Sequence, residues 1–402
     1  MRGANVFWIS IDSLRKDFLH IYNPQQHRRT MLDDLAEQGC IFDNAFAGGN
    51  WTMPSHATML TGLEATSHMI WSWQHRFASN VQTAFDIFHR AGYTVGCFAI
   101  PQLRDLFSET PIDHAGQTDD PGLLTCFESQ KPFFVFWHTY QVHYPYGMIL
   151  PRDYDDVEAD YDHPSRTLNY IRHLVTAGRR DIIFDSYRRA IQQVARFIRG
   201  VVTKLNKLGK FEKTYFVITA DHGEAWRPHT TFHCNFNEEV VRVPLAISGP
   251  GLRPSRAAAP VSLVSLLPTV LELCEIGGDG LVDAFDGESL LPRMNGQAGE
   301  GRPVLIAGPN GARSRHRYLA IRHGEWMLIA GLDNWWESFH RVGETGLSAN
   351  WLDRPLPGEG RQVLEEFRSI AQRHSDRYFG RKERVVALST LTEKKLRALG
   401  YL

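Results

Sequence analysis

The feature that most restricts the fold of this chain is a set of short β-rich runs, each ending in residues that carry chemistry. Residues 5–11 read NVFWISI and pass directly into Asp12-Ser13-Leu14-Arg15-Lys16-Asp17. Residues 132–138, PFFVFWH, are apolar on both faces, which predicts a central strand. Residues 214–220, TYFVITA, deliver Asp221-His222-Gly223-Glu224. A buried strand that ends in charged side chains is how open α/β sheets present ligands at their carboxyl edge.

Helical spacing fills the intervals. Residues 30–39 read as a helix stopped by Gly39, and 54–60 as a second that opens just after Thr52, with Pro54 acceptable in a first turn. Residues 81–91 are helical, 94–100 a strand, 243–247 a further strand and 262–274 a helix. Residues 181–200 place Ile183, Tyr187, Ile191, Val194 and Ile198 at helix spacing, with arginines on the outer face. Strands alternating with helices over about the first 280 residues predict an α/β fold, a large, mostly parallel sheet flanked by helices. Past about residue 300 the texture changes. Residues 317–321 and 326–330 flank His323-Gly324-Glu325 as a β-hairpin, and 365–373 form a helix able to pack on it. The expected organisation is a catalytic α/β domain over residues 1–300 and a small α+β subdomain over 301–402. Residues 147–162, rich in Asp, Glu and Tyr, read as a surface loop in preference to a lid. The basic tail, 381–402, reads as a solvated helix face.

Composition narrows the partners. Formal charge is -1, from 44 basic and 45 acidic side chains, so no global field draws nucleic acid or an anionic membrane. Anion selectivity has to be local. The five cysteines are odd in number and show no CxxC spacing; Cys40, Cys97 and Cys274 lie in core-like surroundings that suit reduced thiols. Residues 257–274 are interrupted by Pro260, Ser262, Ser265 and Pro268, too broken for a membrane span. The N-terminus shows no signal-like apolar region, and a cytoplasmic protein is expected.

Asp12, Thr52 and the pair Asp221-His222 each lie at the end of a strand or the start of a helix and offer oxygen or nitrogen donors. Carboxylate and imidazole suit a divalent cation, and a hydroxyl joining that shell becomes a nucleophile. The helix opening near Pro54 would aim backbone N–H groups at an anion beside Thr52. Taken singly, each residue reads as an ordinary cap. Only the combination points to a site.

Several longer motifs run in order along nearly the whole chain. They are Ile11-Asp12-Ser13-Leu14-Arg15-Lys16-Asp17, then Thr52-Met53-Pro54-Ser55-His56 leading to Leu60-Thr61-Gly62, then His143-Tyr144-Pro145-Tyr146. Asp221 to Glu224 follows, then Arg242-Val243-Pro244-Leu245 with Gly249-Pro250-Gly251, and a terminal Leu396-Arg397-Ala398-Leu399-Gly400-Tyr401-Leu402. Together they resemble the sulfatase family of the alkaline phosphatase superfamily. The resemblance implies Asp12, Asp221 and His222 as metal ligands, with Thr52 as nucleophile and fourth ligand. It implies His143 at the transferred anion or its leaving group. His233, as a catalytic candidate, and His229, as a substrate contact, stand at a spacing where relatives often have His; a second-metal or leaving-group role and a bland surface or core reading both stay open. His56 is a further candidate substrate contact. Arg15 either neutralises a bound oxyanion or pairs with Asp17. His138 ends a strand, with a functional and a bland reading both standing.

The chain also departs from the family. Thr52 stands where sulfatases carry the Cys or Ser that is oxidised to formylglycine, and threonine cannot yield that aldehyde. His56 replaces the arginine found two positions after the proline. Ser13 removes one carboxylate of the opening acidic pair. Thr139 stands where the threonine-nucleophile branch, similar to nucleotide phosphodiesterases and lipoteichoic-acid-synthase-like enzymes, has an aspartate four residues before the histidine. These departures imply one divalent ion, Zn²⁺, Mn²⁺ or Ca²⁺, with a second left open. The expected function is hydrolysis of a small anionic phosphate or phosphonate ester (mono- or di-) ahead of a sulfate ester. The alternatives are a sulfatase, a phosphoryl transferase sharing the first step, and a catalytically dead binding protein. A homo-oligomer is left open, and the natural substrate is not legible.

Overall fold

A computed structural model describes residues 1–148, 164–228, 230–277, 284–297, 301–311, 314–334, 336–343, 346–347 and 350–387. His229, most of the acidic loop expected over 147–162, and the tail beyond 387 lie outside the described residues.

The main sheet takes β1 (Asn5–Ile11), β2 (Cys40–Phe46), β3 (Thr94–Phe98), β4 (His114–Gly116), β5 (Phe133–Thr139), β6 (Thr214–Thr219), β7 (Arg242–Ser248), β8 (Ser255–Ala257) and β9 (Val261–Ser262). Their order is β8-β2-β7-β6-β1-β5-β3-β4, with β9 also on β2. All neighbours are parallel except β7, which runs antiparallel to β6 and β2. β1, β5 and β6 are buried along their whole length, as strands covered on both faces must be. Their register aligns Ile11 with Thr139 and Ser10 with Thr219, so all three strands end at one edge. Whatever follows each strand therefore emerges beside its neighbours.

Helix α1 (Thr52–Thr61) is buried at every residue and ends at Gly62 in the left-handed region. Helix α2 (Arg180–Lys207) continues beyond residue 200 because Val201, Val202 and Leu205 extend its buried stripe. The segment 262–274 is helical only over Leu266–Leu273. Val261–Ser262 pairs with β2 first, and the Ser262 side chain caps a 3₁₀ turn at Leu263–Ser265.

A second, antiparallel sheet runs through Val304–Gly308, Tyr318–His323, Trp326–Gly331, Glu337–Gly343 and Gly346–Leu347. The hairpin at Gly324-Glu325 has Gly324 at φ 56, a left-handed turn position that suits glycine. Helix α3 (Gly358–Phe379) lays Leu364 and Phe367 on this sheet against Ile321, Leu328 and Phe339. The two sheets meet at the loop before α1, where Asn50 N–H donates to Ala307 C=O at 2.9 Å and Asn50 Nδ2 donates to Pro309 C=O at 2.8 Å. All five cysteines are buried and unpaired with one another. Among the described residues no helix is long and apolar enough to cross a membrane.

Candidate active site

The shared strand edge gathers the residues that sequence placed far apart. Asp12 follows β1, and its N–H donates to Thr139 C=O at 3.0 Å. Ser13 then takes φ 59, a strained position for a residue with a side chain. That turn lets Ser13 N–H reach Asp221 Oδ1 at 3.3 Å, while Ser13 Oγ donates to Asp12 Oδ1 at 2.8 Å. Asp221 Oδ1 also accepts the His222 N–H at 2.9 Å. The motif glycine, Gly223, is required by packing, since a Cβ there would lie 2.0 Å from Glu239 C=O.

Thr52 is the first residue of α1, and its Oγ1 lies 3.5 Å from Asp12 Oδ2. The chain reaches this point through Gly49, where a Cβ would lie 2.7 Å from Pro54 Cγ. No side chain caps the start of α1. Its first-turn amides therefore face the cluster without a competing oxygen from a cap.

Asp12, Asp221 and His222 each offer one ligand atom, and these atoms all lie within 4.8 Å of one another. His222 Nδ1 faces Gly223 C=O at 2.8 Å and must carry the proton there, which turns the Nε2 lone pair inward. Asp221 Oδ2 and His222 Nε2 are buried, 3.4 Å apart and without a hydrogen bond. Two orphaned ligand atoms beside a second carboxylate are what a bound cation would satisfy, so the donor set fits a metal. His56, His138 and Asp221 form an overlapping group. It fits less well. His56 Nδ1 is spent on Thr52 C=O at 2.8 Å and Nε2 on Ser10 Oγ at 3.0 Å, leaving no lone pair to bind with.

The electrostatics of the two carboxyl groups diverge. Burial would raise Asp12, but the imidazoles of His143, His138 and His222 outweigh it and hold Asp12 well below the carboxylate range. Burial, reinforced by the charge of Asp12, pushes Asp221 well above that range. His143 and His233 stand on the remaining side. Burial pushes His143 down to about 4, and burial with neighbouring His222 pushes His233 down to about 3. Their rings are 5.5 Å apart, and His233 is 4.6 Å from the ring of His222.

Two candidate substrate contacts turn inward. Arg15 pairs with Asp17 through Nε (2.9 Å) and NH2 (2.7 Å), donates to Glu224 C=O and stacks 4.8 Å over Trp226. Its fork is spent within the protein and is not held out to an oxyanion. His56 has no exposed surface and lies one helical turn along α1 from Thr52, whose C=O it contacts.

Sequence reading left His138 open between two readings and gave Glu224 no role. His138 Nε2 lies 3.3 Å from Asp12 Oδ2, and its place at the end of PFFVFWH was the available signal. Glu224, pushed up to about 7 by burial, accepts from Tyr146 OH at 3.0 Å, which in turn accepts from Trp226 Nε1 at 2.9 Å. Glu224 Oε1 lies 3.5 Å from His233 Nδ1. No local pattern announces that network.

A mixed, mostly parallel sheet with carboxylate, imidazole and hydroxyl donors gathered at its carboxyl edge defines an ester hydrolase of the alkaline phosphatase type. The Sulfatase family model matches residues 4–103 and 124–276. The chain belongs to the sulfatase family. It is 24% identical over 352 residues to a delta 4,5-hexuronate-2-O-sulfatase of Bacteroides thetaiotaomicron, covering 73% of this chain and 72% of that protein. Among solved structures it is similar to a 2-O GAG sulfatase, with TM-score 0.72, 18% identity and 96% and 95% of the two chains covered. It is equally similar in fold to the phosphonate monoester hydrolase of Agrobacterium radiobacter, with TM-score 0.72, 16% identity and 97% and 98% covered.

Proposed function

We propose that this protein hydrolyses phosphate or phosphonate esters, with Thr52 as covalent nucleophile and one divalent cation held by Asp12, Asp221 and His222. The observation that carries this reading is the Thr52 hydroxyl 3.5 Å from Asp12 Oδ2, in a ligand group whose other members keep two orphaned atoms, Asp221 Oδ2 and His222 Nε2. A cation bound there lowers the pKa of the hydroxyl and offsets charge on the transferred group. The imidazole favours Zn²⁺ or Mn²⁺ over Ca²⁺.

Thr52 Oγ1 bonds to phosphorus as the bond from phosphorus to the alcohol oxygen breaks, giving a phosphorylated threonine and the free alcohol. Water then attacks phosphorus, the bond to Thr52 breaks, and phosphate or phosphonate leaves. The first-turn amides of α1 hold the equatorial oxygens. His143 and His233, neutral and beside the cluster, are assigned the shuttle that carries the Thr52 Oγ1 proton to the departing alkoxide and, in the second step, a proton from water back to Thr52 Oγ1. Their exposures, 2% and 7%, make theirs the side from which a ligand enters, since Asp12, Thr52, Asp221 and His222 have none.

Preference for phosphorus rests on the nucleophile. A sulfated threonine lacks the second hydroxyl through which a hydrated formylglycine aldehyde expels sulfate, whereas a phosphothreonine is open to in-line attack by water. A second reading, sulfate ester hydrolysis, is supported by the family and by the 2-O-sulfatase relative. The test compares kcat/KM for an aryl sulfate, phosphate monoester, phosphodiester and phosphonate with a common leaving group, across added metals. A phosphorus ester should be fastest, and Thr52→Ala should lower its turnover by ~10³-fold or more. A faster sulfate ester, lost in Thr52→Ala, would replace this reading with the second. Unchanged turnover in Thr52→Ala would remove Thr52 from the chemistry.

A further inference from the structure

The turn Asp221 to Glu224 runs straight into a short antiparallel hairpin, in which Ala225–Arg227 pairs with Thr230–Phe232. Its register aligns Ala225 with Phe232 and Trp226 with Thr231. The next position of that register sets Glu224, just before the first strand, opposite His233, just after the second. His233 itself is flanked by Phe232 at φ 76 and Cys234 at φ 63, both in the left-handed region that favours glycine. Two such neighbours are costly, and strain of this kind gathers where a side chain has to be aimed. Backbone bonds pin the bend: Cys234 N–H donates to Asn50 C=O at 3.0 Å, and Cys234 C=O accepts from Gly311 N–H at 2.8 Å. His233 is thereby tied to the loop that leads to Thr52.

Glu224 is fixed at its backbone and at one carboxylate oxygen. Its N–H donates to Glu239 C=O at 3.1 Å, its C=O accepts from Arg15, and Oε2 accepts from Tyr146 OH. That leaves Oε1, buried and with no hydrogen-bond partner among the described residues, 3.5 Å from His233 Nδ1. A contact of this length is longer than a formed hydrogen bond and of the kind that tightens as a ligand fills a site. A buried carboxylate oxygen needs a donor, and an imidazole N–H supplies one. Glu224 has no exposed surface, so it does not touch an ester itself. We infer that Glu224 is a positioning residue: its Oε1 takes the Nδ1–H of His233, which fixes the tautomer and leaves Nε2 as the nitrogen that exchanges protons in the shuttle. The inference rests on the reading of His233 as part of that shuttle, and its test separates the two.

The first arm needs no turnover. In Glu224→Gln the amide oxygen keeps the Tyr146 bond and the amide NH₂ faces His233 Nδ1, a donor where an acceptor stood. Heteronuclear NMR of the full chain with isotope-labelled histidines, in mildly alkaline buffer, reports the tautomer; the His233 signals are those missing from His233→Gln. Wild type should show the Nδ1–H form and Glu224→Gln the Nε2–H form, with thermal unfolding confirming the fold. The second arm follows kinetics on the ester that turns over fastest. Glu224→Gln should lower kcat by ~10²-fold with little change in KM, and the same change made in His233→Gln should cost less than about twofold more. Losses that multiply in the double variant would mean that Glu224 acts elsewhere and would overturn the inference. So would an Nε2–H wild type or a tautomer unmoved by Glu224→Gln. A tautomer that switches while no ester is turned over would sink the hydrolase reading and leave the Glu224–His233 pairing standing.

Discussion

Replacing Asp221 by asparagine tests the metal centre through stability, independently of any substrate. Asp221 Oδ1 accepts the N–H groups of Ser13 and His222, and an amide oxygen can keep both bonds. The change therefore falls on Oδ2, the atom with no partner. In the metal-free protein, burial and the Asp12 charge hold the Asp221 carboxyl well above its ordinary value. A folded-state pKa raised in this way contributes stability below the unfolded value, about 3.9, and loses it as pH rises toward the folded value, by about 1.4 kcal/mol per pH unit. Asp12 acts in the opposite sense. Its lowered value contributes stability that is present above the unfolded pKa and lost as pH falls. At neutral pH without metal, Asp221 therefore burdens the fold, and asparagine lifts that burden. Unfolding entropy of about 2.1 cal/mol/K per residue gives ~0.8 kcal/mol/K for a chain of this length, so each pH unit moves Tm by roughly 2 °C. A divalent ion at a thousand times its Kd adds about 4 kcal/mol, or ~5 °C. Scanning calorimetry with chelator, and then with Mn²⁺ or Zn²⁺, should show Asp221→Asn equal to or above wild type without metal, and no metal-induced rise in the variant. An equal loss of Tm in both conditions, or a wild type that no divalent ion stabilises, would refute the reasoning.

Other substitutions separate bracing from binding. Arg15→Gln breaks the paired contact with Asp17 and the stacking on Trp226, and should cost about 1–2 kcal/mol by urea unfolding with KM unchanged; a raised KM at constant stability would restore the oxyanion role. His56→Ala leaves Ser10 Oγ and Thr52 C=O without their partner. It should cost about 2–4 kcal/mol and lower kcat more than it changes KM, whereas a change in KM alone would put His56 at the substrate. Phe367→Ala opens the core beneath the second sheet and should cost about 3–5 kcal/mol, seen as early proteolysis of residues beyond 304. A silent variant would mean that this sheet is held by other contacts.

Local pattern determined much of this protein. The apolar runs at β1, β5 and β6, their polar ends, the helix opening at Thr52 and the hairpin at Gly324 are all readable because periodicity and turn chemistry act over a few residues. Identity also fixed which side chains could bind a cation. What the sequence left undecided depends on contacts between distant segments. Arg15 had two readings until Trp226 and Glu224, more than 200 residues away, closed around it. His56 looked like a substrate contact because nothing local shows that Ser10, on a neighbouring strand, takes its outer nitrogen. The reversal of β7 and the Tyr146–Glu224–Trp226 network have the same origin. Strand order and helix packing decide which side chains share a space, and burial then decides which of them keep their charge.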